Sequence, residues 1–110
     1  MSEKRAVLLH GTDGAPHHSW FPWLKSYLES KGFSVFVPQL PGSHTPNASV
    51  YKEFLLDQDW DYSNNLVVGH SSGATTTLNL AMSDSFPKMK TVILVGAFLN
   101  ENLVKNAEFY

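Results

Sequence analysis

The sequence predicts an α/β fold: a parallel sheet of about four strands with helices on both faces. Three observations carry this. Short continuous apolar runs at Ala6 to Leu9, Phe33 to Val37, Leu66 to Val68 and Thr91 to Val95 have the length and composition of strands buried on both sides. Segments of helical spacing separate these runs, which makes βαβ units, and such units build parallel sheets. Two glycine-containing corners, His10 to Gly14 and Gly69 to Gly73, follow strand ends, where ligands gather in sheets of this kind.

Each element has its own signals. The run Ala6 to Leu9 stops at His10-Gly11, and the loop TDGAPHH leads to a first helix. Ser19 is its expected N-cap, and Pro22 fits a first turn. Trp20, Trp23, Leu24, Tyr27 and Leu28 recur at helical spacing until Gly32 stops the segment. Phe33 to Val37 gives way to PQLPGSHTPN, whose prolines and glycine forbid regular structure. A second helix is expected over about Ser49 to Asp57, with Val50 and Phe54 facing inward. The strand at Leu66 is followed by a third helix, Ser72 to Met82, and a short helix near Asn102 to Phe109 is expected after the last strand. There is no internal repeat, low-complexity tract or linker.

Composition narrows the function classes. A length of 110 residues accommodates one domain with a real core, read as residues 1–110. The formal net charge is -2 with Lys and Arg scattered, which argues against nucleic acid or an acidic membrane surface as partner. The sequence has no cysteine, so it has no disulfide, no thiolate metal site and no cysteine nucleophile. The apolar run after MSEKR is too short for a signal peptide or a membrane span. A cytoplasmic location follows as the expectation, with a nuclear one also compatible.

The corner in LVVGHSSGATTTL carries the chemistry. In Gly-x-Ser-x-Gly after a strand and before a helix, the serine sits on a strained turn with its hydroxyl exposed above the sheet edge. Gly69 and Gly73 flank Ser71 because a Cβ at either place would collide as strand and helix close on each other. Ser72 N–H, the first amide of the helix, then points at an oxyanion forming on a carbonyl attacked by Ser71. A second donor is expected from the loop after the first strand. Thr12 or Asp13 N–H are the candidates, because His10-Gly11 brings that backbone alongside the corner.

The order strand-HG-loop, then HHSWFPWLKSYL, then a Pro-rich connection, then VVGHSSGA and TVILVGAF resembles the small α/β-hydrolase-fold serine hydrolases related to retinoblastoma-binding protein 9 and its bacterial relatives. Trp20, Trp23 and Leu24 and the GHSSG corner are its sharpest parts. The resemblance implies an α/β-hydrolase-like sheet in spatial order second, first, third, fourth strand. It implies Ser71 as the catalytic nucleophile, Ser72 and the loop at Thr12 as oxyanion contributors, and hydrolysis of small acyl esters or amides with no metal or organic cofactor. It also implies that this chain corresponds to the N-terminal part of such a domain, truncated to about four strands with the C-terminal part missing.

In that family order the acid and the histidine follow the nucleophile, and here no histidine follows His70. His10 belongs to the strand-end HG dipeptide, where bracing the loop beside Gly11 is the expected role. His17 and His18 lie in a polar loop without a third ligand for a metal. His44 sits in the Pro-rich loop, and His70 adjoins the nucleophile in a place the corner turns away from its hydroxyl. Asp84 lies away from the strand ends, and Glu101 follows the fourth strand, a position some hydrolases use for the acid. Asp57, Asp59 and Asp61 read as a solvated stretch around Trp60. The chain is therefore expected to be weak or inactive by itself. A noncatalytic protein-interaction module that retains the fold is the alternative reading, and a phosphate binder is a third, since glycine-rich strand-to-helix turns also cradle phosphates. The last strand is uncharged and free of proline, so self-association through its edge is expected.

Overall fold

The computed structural model describes residues 4–12, 14–17 and 20–96. Four parallel strands, β1 (Lys4–Leu9), β2 (Phe33–Phe36), β3 (Leu66–His70) and β4 (Thr91–Val95), form one sheet in the order β2-β1-β3-β4. Three helices connect them: α1 (Phe21–Ser30), α2 (Ala48–Leu56) and α3 (Ser72–Ala81). The expected spatial order of the strands is the observed one. The anticipated helix near Asn102 to Phe109, the proposed cap Ser19 and the loop residue Asp13 lie outside the described residues.

Side-chain alternation along the central strands divides the core into two layers. Val7, Leu9 and Val67 face one side, where they meet Tyr51 and Leu55 of α2, Leu80 of α3, and Leu40, Tyr62 and Phe86. Ala6, Leu8 and Val68 face the other, where Phe21 and Leu28 of α1 close over them. β1 begins two residues before its apolar run because Lys4 pairs in register with Phe33. The Lys4 ammonium then lies 5.8 Å from the Phe33 ring centroid.

Two expectations about the helices need correction. The aromatic stripe of α1 is really two stripes: Phe21, Leu24 and Leu28 turn inward, while Trp23 and Tyr27 stack on each other at 5.5 Å on the outer surface. Position N-cap belongs to Trp20, which offers no capping side chain. In α2 the phase is set one residue earlier than anticipated, by Asn47, whose side chain accepts from Val50 N–H at 3.0 Å. That phase buries Ala48, Tyr51 and Leu55, leaves Phe54 packed at the margin of the core, and turns Val50 outward. The end of α1 is as expected: Gly32 takes φ +90° and its N–H reaches Glu29 O at 3.1 Å.

The loop after α2 is held by a residue with no apolar signal. Asn65 is fully buried; its Oδ1 accepts from Trp60 Nε1 at 2.7 Å, and its Nδ2 donates to Asp61 O at 2.9 Å and Ser63 O at 3.1 Å. Trp60 stacks on Phe36 at 5.3 Å and does not stand in solvent. Asp61 does stay exposed, and its hydrogen bonds from Ser63, with Arg5 nearby, hold its carboxyl below the usual carboxylate range.

Candidate active site

The carboxyl ends of β1 and β3 bring the two glycine-containing corners together. At the end of β3, Ser71 takes φ 58° and ψ -120°, a conformation that non-glycine residues adopt only at a cost of about 1–3 kcal/mol. Its backbone is fastened on both sides. Ser71 N–H donates to Val95 O at 2.9 Å, and Ser71 O accepts from Ala74 N–H at 2.9 Å and Thr75 N–H at 3.2 Å.

Ser71 occupies the N-cap position of α3, where a serine hydroxyl ordinarily accepts from the first turn. Here it makes no such bond, because the positive φ swings the side chain off the helix axis. Among the described residues nothing hydrogen-bonds to Ser71 Oγ. The first amides of the helix have no intrahelical acceptor either, so Ser72 N–H, on the residue next to Ser71, lies at the positive end of the helix dipole.

The glycines make this packing possible. A Cβ on Gly69 would lie 2.5 Å from Thr77 Oγ1 and 2.7 Å from Ala74 Cα, and one on Gly73 would lie 2.6 Å from His10 O. The approach of α3 to β1 and β3 thus depends on both. Gly11 is tight but less crowded: a Cβ there would meet Ser71 Cβ at 3.0 Å and Ser71 Oγ at 3.6 Å. Beyond it, Thr12 Oγ1 donates to the buried Ser72 Oγ at 3.0 Å. Ser71, Ser72, Gly11 and Thr12 therefore share one edge of the sheet, and Asp13 is outside the described residues.

His10 is buried with both ring nitrogens engaged. Leu40 N–H donates to Nε2 at 2.8 Å, which fixes Nε2 as the acceptor and puts the proton on Nδ1, 2.9 Å from Gly11 O. Gln39 Nε2 also reaches Gly14 O at 3.3 Å. The ring thus clasps the Pro-rich loop to the loop after β1, and it is in no position to take a proton from Ser71. Sequence reasoning placed His10 in the loop without finding Leu40 or Gln39, whose only signal was the PQLPG stretch. His70 packs edge-on against Trp20 at 5.5 Å, while the exposed His17 and His44 lie in the two loops.

Similarity to known proteins agrees with this fold. Residues 6–108 match the profile of the Alpha/beta hydrolase family. The serine hydrolase RBBP9 of Rattus norvegicus is 26% identical over 103 residues, covering 91% of this chain and 54% of that protein. YdeN of Bacillus subtilis (strain 168) is 28% identical over 97 residues, covering 86% of this chain and 51% of that protein. The crystal structure of the ydeN gene product superposes with a TM-score of 0.73 over 96% of this chain and 59% of the other, at 26% identity. A PytH variant shares the fold with a TM-score of 0.64 at 21% identity, covering 90% of this chain and 42% of that one. The chain spans about half the length of the curated relatives it matches.

Proposed function

The chain belongs to the Alpha/beta hydrolase family, and from that premise we propose that it is a serine hydrolase of small acyl esters or amides with Ser71 as nucleophile. The observation that carries this reading is the N-cap serine that does not cap: strained to φ 58°, its hydroxyl has no hydrogen-bond partner among the described residues and is offered to an incoming carbonyl carbon at the start of α3. In the proposed reaction Ser71 Oγ attacks that carbon. Negative charge gathers on the carbonyl oxygen, and the Ser72 and Thr12 amides stabilise it, with Gly11 keeping the approach open and His10 bracing the loop.

Among the described residues, none hydrogen-bonds to Ser71 Oγ to take its proton. His10 is fully engaged, and no histidine follows His70 in residues 1–110. A serine with no base keeps its high pKa and is a poor nucleophile at neutral pH. The 110-residue chain should therefore hydrolyse a small aryl ester only slowly, at about 10³-fold over water, the level that transition-state stabilisation and binding supply alone. The test is steady-state hydrolysis by the wild type and by Ser71→Ala. Slow turnover that falls further in the variant is the expected result, and slow turnover unchanged in it would remove Ser71 as nucleophile. Fast turnover lost with Ser71 would mean that a base within these residues has been missed, with His44 first in question.

A further inference from the structure

We infer that the Thr12 hydroxyl is a positioning group for oxyanion stabilisation, acting through the side chain of Ser72. The inference rests on the reading of Ser71 as nucleophile and of Thr12 N–H, rather than Asp13 N–H, as the second oxyanion donor. Two amides can stabilise one oxyanion only if both sit at about 2.7–3.1 Å from the place where it forms, so their mutual spacing must be held closely. The Ser72 amide is on a buried helix terminus and is rigid. The Thr12 amide is on a loop, and loops hold functional groups loosely unless tied to a rigid element.

The tie is between these same two residues. Thr12 Oγ1 donates to Ser72 Oγ at 3.0 Å across 60 positions of sequence, so the residue offering the second amide is fastened to the residue offering the first. Ser72 is fully buried and cannot yield, which makes Thr12 the partner that is placed. The neighbouring clasps act elsewhere: Gly14 N–H to Gly11 O at 2.9 Å and the His10 ring fix the loop's base and far side, not the residue beside Ser72. Thr12 itself is exposed, so its hydroxyl contributes little to the core.

Phenylboronic acid reads this directly. Its boron accepts a lone pair from Ser71 Oγ, the Oγ–B bond forms as the hydroxyl proton passes to water, and the tetrahedral anion places one boronate oxygen where the oxyanion would be. Thr12→Val should weaken this adduct about three- to tenfold, the range of one neutral hydrogen bond, when measured in urea-free buffer where wild type and variant both remain folded. Thr12→Ser should restore wild-type affinity. Ser72→Ala should lose as much as Thr12→Val, and the double variant should lose no more than either, because both changes remove one interaction. Wild-type affinity in Thr12→Val, or additive losses in the double variant, would overturn the inference while leaving Ser71 as nucleophile. A wild-type chain that forms no adduct at Ser71 would overturn the nucleophile reading and this inference with it.

Discussion

Replacing Ser71 by glycine should make the protein more stable than replacing it by alanine. Both variants delete the hydroxyl, which makes no hydrogen bond among the described residues, so they differ in backbone preference alone. At φ 58° and ψ -120° an alanine carries the same strain as serine, about 1–3 kcal/mol, and glycine carries almost none. Against this, the freer unfolded chain of the glycine variant costs about 0.5–1 kcal/mol. The difference leaves Ser71→Gly ahead of Ser71→Ala by about 1 kcal/mol, and by no more than about 2.5 kcal/mol. Urea unfolding followed by circular dichroism measures it, with equal slopes required so that the midpoints compare folded states. The opposite order would mean that the corner is not strained. The claim that an energetically costly turn holds this hydroxyl off its own helix would then fail.

Other consequences follow from the core and the open edge. Asn65→Ala orphans the Trp60 indole N–H and two loop carbonyls, and should cost about 2–4 kcal/mol in the same urea assay. Tyr51 is buried with its hydroxyl unpartnered among the described residues, and burial pushes its pKa up to about 12, from 10.0. Its neutral form is the one the fold favours, so stability should be complete below pH 10 and fall as pH rises through about 12. Tyr51→Phe should be neutral to stabilising at pH 7 and should flatten that alkaline fall, as pH-dependent urea midpoints would show. At the sheet edge, Ser71 N–H bonds to Val95 O, so by alternation Val92 and Leu94 turn their backbone groups outward from an exposed, uncharged β4. The 110-residue chain should therefore self-associate at micromolar concentration in sedimentation velocity, and Ile93→Lys should return it to monomer.

The strands were legible because strands buried between helices are apolar without interruption, as in AVLL and LVV, and such runs survive any error about neighbouring elements. The corner at Ser71 was legible because two glycines at fixed offsets have one steric explanation, and both positions prove too crowded for a Cβ. The phase of α2 was missed for want of a local signal weighed correctly: Asn47 after Pro46 is a cap, and reading it would have put Tyr51 inside in place of Val50. The roles of Asn65 and His10 are of another kind. Asn65 sits in a SNN stretch that reads as a turn, and His10 meets Leu40 across 30 positions, so only the folded chain brings their partners together.

The central claim is that Ser71 presents a reactive oxygen beside oxyanion-stabilising amides, and a fluorophosphonate tests it most directly. In that reaction the Oγ–P bond forms, fluoride leaves and the hydroxyl proton passes to solvent base, because among the described residues no imidazole hydrogen-bonds to Ser71 Oγ. Intact-mass and peptide analysis should find one adduct, on Ser71, accumulating over hours, faster at pH 9 than at pH 7, and absent from Ser71→Ala. Adducts spread over surface serines, or none on Ser71 while other residues react, would contradict the account and favour the noncatalytic reading of this fold.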